Sequence, residues 1–374
     1  MKPIHDDTTL SAIPVLDVRA VGPVGRALES PERLAALREA CLSSLPGAFR
    51  LLLPVLETPA RRWVKSCRSP YLAEVEAIAA AVDFSGVWFL NGSYVWACTT
   101  LAREEAGVPW LVRTLDWPFA GLGRYLEVAR MRGLAGEYHS IAWPGYVGCL
   151  TAMAPGRFAA ALNQAPMWRR TRHPWLRPYD LALNALRTWR ISFIPPDHLL
   201  REVFENARSF AEARRRLEST PVARPVIYTL AGCAPGERCV IERTEQGFKT
   251  QEEETGAAND WLRSTPPWEA RIRPDLLFRR SYEDAAESSR ARRTQLAAWP
   301  GAFAPGGFDW VRPPVLNPYT RVAAEMCPAT GTLRARGYEK PPEKELAEPA
   351  TLTCEVAPQP HRFDAAAAAP FTHL

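Results

Sequence analysis

No CxxC pair and no Cys/His spacing suited to zinc occurs among the eight cysteines and six histidines of the 374-residue chain. A zinc knuckle is thereby excluded. No stretch approaches the roughly 18 consecutive apolar residues of a spanning helix, so none is expected. Lys/Arg blocks are missing too. The 46 basic and 41 acidic residues leave a formal charge of +5, too small and too scattered to argue for a nucleic-acid partner. There is no G-x-S-x-G elbow and no S-x-x-K set, which sets aside the common serine nucleophiles. There is no Walker loop and no dinucleotide fingerprint. No internal repeat is visible. The stretch from Met1 to Asp17 lacks the apolar run of a secretory signal, so a cytoplasmic setting with free thiols is the expectation.

A hydrophobic fraction of 47% supplies a sizeable core, in one large domain or two ordinary ones. Thirty-five prolines and thirteen tryptophans point to many loops and some large apolar contacts. Ser30-Pro31-Glu32 is a helix start, with a helix expected to about Ser43. Leu45 to Leu56 is apolar but interrupted by Pro46 and Pro54; it is read as core, with peripheral membrane contact as the alternative. Ser69-Pro70 opens another helix, with Leu72, Val75, Ile78, Ala79 and Val82 at helical spacing. From Cys98 to about Gln164 short strands follow one another with turn signals at Glu104–Gly107 and Ala154–Gly156, which argues for antiparallel sheet. Helices are expected over 179–190 and 197–218, strands near 226–232, 239–243 and 248–251, a charged helix over 273–298, and a final hairpin over 320–338. The end, from Lys340, is Pro/Glu-rich and then Ala-rich, and reads as a loosely ordered tail.

The stretch that carries chemistry is Asn91-Gly-Ser-Tyr94-Val-Trp-Ala97-Cys98-Thr99-Thr100, followed by Arg113-Thr-Leu-Asp116-Trp117. A cysteine thiol is a good nucleophile but is mostly protonated near neutral pH, so it needs a base. Histidine is the usual partner. His5, His361 and His373 sit in the terminal regions, and none of the six, His139, His173 and His198 included, lies in a recognisable Cys/His context. This leaves the cysteine's own α-amine, whose pKa near 7.7–8.0 allows proton exchange with the thiol. To free that amine the chain must be cut between Ala97 and Cys98. Hairpin pairing would then bring Arg113 and Asp116 beside Cys98, the arginine for thiolate or carbonyl, the aspartate for the amine.

Cys98-Thr-Thr … Arg113-Thr-Leu-Asp116 resembles the nucleophile segment of the N-terminal-nucleophile cysteine amidases, the superfamily of acid ceramidase, N-acylethanolamine acid amidase, choloylglycine hydrolase and penicillin acyltransferase. Asn91 and Tyr94 are similar to an element that precedes the cysteine in the ceramidase branch. The run Gly145 to Phe158 is similar to a second shared element and leads into Asn163, where related enzymes keep a polar site residue. Ala257-Ala-Asn259-Asp-Trp261 looks like the segment with the oxyanion-hole asparagine. Ser288-Ser-Arg290 resembles an element carrying a site arginine, with Arg292 as the competing assignment.

The resemblance implies an α+β chain: a four-layer αββα sandwich with a helical pre-region over 1–97, the catalytic domain over 98–340, and the tail over 341–374. It implies a linear amide hydrolase acting through a thioester on a small-molecule N-acyl amide, with a lipid-like acyl group favoured by the apolar composition. No metal or organic cofactor is called for. Three alternatives stay open: an acyltransferase on the same residues, an uncleaved binding protein, and an unrelated Cys/His hydrolase using His139 or His173.

Overall fold

The computed structural model describes residues 10–43, 47–94, 97–171, 173–253, 255–263, 265, 267–271 and 281–356. His5, His361 and His373, the start of the helix expected over 273–298, and the tail beyond 356 lie outside them.

The chain opens with a short strand, β1 (Val15–Asp17), then α1 (Gly22–Glu29), α2 (Pro31–Ser43), α3 (Gly47–Ser66), α4 (Leu72–Ala81) and α5 (Val87–Gly92). Pro31 begins α2 with Glu32 in its first turn, where the helix dipole favours an acid. Of the run from Leu45 to Leu56, Leu45 and Pro46 lie outside the described residues; from Gly47 on it is one helix, and α3 continues through Pro54 and Pro59. In α3 Leu53 is buried and Val55 exposed.

Then come β2 (Ala97–Glu105), β3 (Val108–Asp116), β4 (Glu127–Gly133), β5 (Gly136–Ala142), β6 (Thr151–Ala154), β7 (Phe158–Gln164) and β8 (Met167–Trp168). Helices α6 (Arg177–Trp189), α7 (Pro196–Asn206) and α8 (Phe210–Ser219) follow. The single helix expected over 197–218 is thus two. Ala207 turns extended, and Ser209 caps a new helix by accepting from the Glu212 N–H, while Glu212 reaches back to the Arg208 N–H.

Strands β9 (Val226–Ala231), β10 (Arg238–Arg243), β11 (Phe248–Gln251), β12 (Gly256–Ala257) and β13 (Trp268–Glu269) precede α9 (Tyr282–Ala297). A capping box between Ser281 and Asp284 fixes the start of α9. The chain closes with β14 (Thr320–Cys327), β15 (Thr332–Glu339), β16 (Glu348–Pro349) and β17 (Cys354–Val356). The last two correct the expectation of a loose tail from 341. Both pair with β15, which gives this stretch backbone partners as far as Val356.

Two sheets form. One runs β1-β4-β5-β6-β7-β9-β10-β11, the other β12-β2-β3-β14-β15-β16 with β17 also on β15. They pack face to face: the Thr100 and Thr229 hydroxyls meet at 2.7 Å, and Arg113 crosses to the Leu150 carbonyl at 3.0 Å. Helices α7 and α8 cover the outer face of the first sheet, and α9 covers β2 and β12 of the second. This is the expected αββα layering. The fold runs across the Ala97/Cys98 junction, because β1, from the pre-region, pairs in parallel with β4.

Candidate active site

Strand alternation decides what surrounds the cysteine. On β2, Cys98 and Ala102 belong to the core between the sheets, while Leu101 shares a cluster with Leu296 of α9 on the other face. The β2–β3 hairpin sets Cys98 opposite Leu115 and Ala97 opposite Asp116. Arg113 has the parity of the inner face. Its side chain is fully buried, and Nη2 donates to Cys98 Sγ at 2.8 Å. Its other terminal nitrogen, Nη1, is tied to Leu150 O and to Thr151 Oγ1 of the facing sheet. A short strand-end pattern therefore becomes a cation locked against a thiol.

Asp116 has the opposite parity and lies on the α9 side. It accepts from Asn317 Nδ2 at 2.8 Å and Thr320 Oγ1 at 3.1 Å, and stands 3.7 Å from Arg292. The reading in which Asp116 holds the Cys98 nitrogen is corrected here. That N–H donates instead to Asn259 Oδ1, at 2.9 Å. Asn259 reaches Cys98 because β12 adds to the edge of β2, with Ala257 opposite Thr100. Its amide orientation is fixed by its neighbours. Oδ1 receives Cys98 N–H and Arg292, and Nδ2 donates to Gln164 O at 2.9 Å.

Asn163 does not bond Cys98. It sits fully buried and donates to Thr100 Oγ1, Ala257 O and Ala258 O, which clamps the segment carrying Asn259 against β2. Arg290 is exposed and outside the site. Among the described side chains of α9 the buried ones are Ser289, Arg292 and Leu296, spaced three and seven residues along one face, and Arg290 points away from it. Arg292 Nη1 donates to Cys98 O at 2.6 Å and Thr99 Oγ1 at 2.8 Å, and Nη2 to Asn259 Oδ1 at 3.0 Å. Ser289 Oγ accepts from Asn259 N–H at 2.7 Å. The helical spacing of Leu296 back to Arg292 was the signal that separates the two arginines.

Gln164 went unread. Its carbonyl holds Asn259, and its side chain donates to Tyr94 O, just ahead of the nucleophile. Tyr94 in turn bonds Asp197, which also accepts from Tyr146 at 2.7 Å. Gly148 is required beside it, since a Cβ there would lie 2.1 Å from Asp197 Oδ2. The histidines are elsewhere: His198 bonds Ser69 Oγ at 2.6 Å, and His173 stacks on the exposed Trp175. Among the described residues no histidine bonds Cys98, and no cluster of His, Cys, Asp and Glu could hold a metal. All eight cysteines are free thiols.

Burial pushes the Cys98 thiol up to about 11; the Arg113 charge opposes the rise, Asp116 adds to it and Arg292 opposes it. Burial also lifts the Asp116 carboxyl above its ordinary value, against the pull of Arg292. The weakened acidity of the thiol has a direct readout. In the continuous chain, the logarithm of the Cys98 alkylation rate is expected to climb with unit slope to about pH 10, because only the thiolate reacts. Peptide mapping separates Cys98 from the other thiols, and a plateau near pH ~8 contradicts the assignment.

No family model matches the chain. Its sequence is 26% identical to the N-acylethanolamine-hydrolyzing acid amidase of Oryctolagus cuniculus over 204 residues, 52% of this chain and 54% of that protein. It is 33% identical to the acid ceramidase of Heterocephalus glaber over 106 residues, 28% of this chain and 25% of that protein. The chain thus spans about half the length of the amidases it matches and a quarter of the ceramidases. Among solved structures, a Caenorhabditis elegans N-acylethanolamine-hydrolyzing acid amidase ortholog aligns with a TM-score of 0.44 and 16% identity, covering 62% of this chain and 93% of that one. The amidase and ceramidase sequences bear out the resemblance to the N-terminal-nucleophile cysteine amidases.

Proposed function

We propose that the protein hydrolyses the amide bond of an N-acylated small molecule through a thioester on Cys98, after cutting its own chain between Ala97 and Cys98. One observation carries this reading. The cysteine has a buried guanidinium 2.8 Å from its sulfur and a buried amide oxygen 2.9 Å from its own backbone nitrogen, with no side-chain base on the thiol among the described residues. An arrangement that holds the backbone nitrogen this carefully suits a nitrogen that becomes the base.

In the first reaction Sγ adds to the Ala97 carbonyl carbon, and the thiol proton passes to the departing Cys98 nitrogen. Water then hydrolyses the resulting thioester and leaves a free α-amine on Cys98. In turnover that amine, held by Asn259 Oδ1, takes the thiol proton as Sγ attacks the substrate carbonyl, and passes it to the leaving amine. Arg113 stabilises the thiolate. The second N–H of the Asn259 amide has no acceptor among the described residues and is the oxyanion donor in this reading, a contribution worth about 10²–10³ in rate. Water releases the acyl group.

An apolar cavity of about 80 Å³ is walled by Leu37, Leu53, Val87, Phe89, Trp117 and Phe119. Trp117 directly follows Asp116, the β3 residue opposite Ala97, so one wall of the cavity adjoins that end of β3. It suits a hydrocarbon acyl group. The test is mass spectrometry of the purified wild type with and without an N-acyl amide. Two polypeptides, 1–97 and 98–374, are expected, with the acyl mass trapped on the peptide that begins at Cys98 at low pH. One uncut chain that takes up no acyl group overturns the proposal.

A further inference from the structure

A second cavity, of about 260 Å³, lies between α3, α5 and α6. Its wall carries Trp63, Phe89, Trp189 and two arginines, Arg224 and Arg271. No Asp or Glu lines it. Arg271 uses Nε on the Ala165 carbonyl at 2.7 Å, and Arg224 lies over the Tyr94 ring at 4.1 Å. Among the described residues neither guanidinium makes an ion pair, and their Nη groups have no protein acceptor. The nearby carboxylate, Asp197, is already occupied by the Tyr94 and Tyr146 hydroxyls. The polar side chains on the α6 wall are used as well: Asn184 bonds Trp168 and Asp180, and Thr188 bonds Asn184 O.

Two cations left together in one partly apolar cavity repel each other, and neither has an ion-pair partner among the described residues, although the Asp197 charge opposes the fall of Arg224. The acidity of both reflects it. Burial, then the Arg224 charge, brings Arg271 down to about 9, and burial lowers Arg224. An anion between them satisfies the paired forks, which match the two oxygens of a carboxylate.

The position in the site says which part of a substrate brings that anion. Ala165, held by Arg271, follows Gln164; Gln164 O holds Asn259, and Asn259 holds the Cys98 nitrogen. This is the side from which the α-amine hands its proton to the leaving amine. The apolar cavity lies on the Trp117 side, and the two cavities share Phe89 and Ser93. We propose that Arg224 and Arg271 form a carboxylate-binding subsite for the amine half of the substrate, so that the preferred amides join an apolar acyl group to an amine that carries a carboxylate. The role as a substrate subsite rests on the amide-hydrolase reading; the anion site itself does not.

The test uses two ethers that cannot be hydrolysed, octyloxyacetate and 2-octyloxyethanol, titrated into the full-length protein by calorimetry. The acid is expected to bind at least about tenfold more tightly than the alcohol. Arg224→Met and Arg271→Met each remove most of that preference while alcohol binding stays within about twofold. Arg224→Lys and Arg271→Lys keep part of it, which separates lost charge from lost packing. Equal affinities in the wild type, no binding of either ether, or a preference that survives both methionine variants overturns the subsite. Turnover of N-octanoylglycine and N-octanoylethanolamine tests the underlying reading separately. Hydrolysis of both at equal efficiency removes the subsite and leaves the function, whereas a binding preference with neither amide hydrolysed keeps the subsite and removes the function.

Discussion

Cys98→Ala protein is expected to purify as one continuous chain and to lose about 10⁴–10⁶ in kcat, the scale on which hydrolases that work through a covalent intermediate respond to loss of their nucleophile. The cause is local. Without Sγ nothing adds to the Ala97 carbonyl, so the amine is never released, and the same missing atom removes the thioester of turnover. The variant should fold. Trading a buried thiol for a methyl group leaves a small cavity, costing on the order of 1 kcal/mol. Arg113 keeps its bonds to Leu150 O and Thr151 Oγ1, so its charge is not stranded. Serine at 98 is the informative intermediate. A hydroxyl can add to the same carbonyl but is a poorer nucleophile, so slow cutting over hours is expected, visible as a growing 1–97 fragment. Intact mass over time and thermal unfolding of the alanine variant check both points. Cutting of the alanine variant at 97/98 would mean that another group performs the reaction.

The β2–β3 hairpin was legible because its information is local: apolar alternation, the Glu104–Gly107 turn, and an arginine and an aspartate at the strand end. Helices α2 and α4 were legible from start signals and periodicity. What could not be read is what depends on the third dimension. Strand parity puts Arg113 on the sulfur and sends Asp116 to the opposite face, and a reading that placed both at one mouth missed this. Asn259 was found by likeness, yet its job of accepting the Cys98 N–H follows from a two-residue strand, β12, too short to leave a sequence pattern. Strands β16 and β17 were invisible for the same reason. They are held by pairing with β15 rather than by their own composition. The break between α7 and α8 was readable in principle, since Ser209 and Glu212 form a cap signature inside an otherwise continuous apolar stripe.

Arg292→Leu is expected to abolish self-cutting and to lower stability by about 3–5 kcal/mol, the cost of removing one partner from a buried charge pair. Arg292 has little solvent contact, and its departure takes a donor from Cys98 O, Thr99 Oγ1 and Asn259 Oδ1 and the counter-charge from Asp116, although Asn259 Oδ1 keeps the Cys98 N–H and Asp116 keeps Asn317 and Thr320. The electrostatic consequence has a definite sign. Arg292 opposes the rise of the Cys98 thiol and of the Asp116 carboxyl, so its loss moves both further upward. Asp116 then protonates more readily, and Cys98 yields even less thiolate at a given pH. Two companion variants tell positioning from mere support. Arg290→Ala, one helix face away and exposed, should change stability by no more than about 0.5 kcal/mol and leave cutting intact. The double variant Arg292→Leu/Asp116→Asn removes the stranded charge, so it should recover part of the stability without recovering cutting, because Cys98 O and Thr99 Oγ1 still lack the Arg292 donor. Chemical denaturation and intact mass measured side by side give both readouts. If the double variant regained cutting along with stability, Arg292 would serve only to balance Asp116, and its hold on the Cys98 carbonyl would have no part in the reaction.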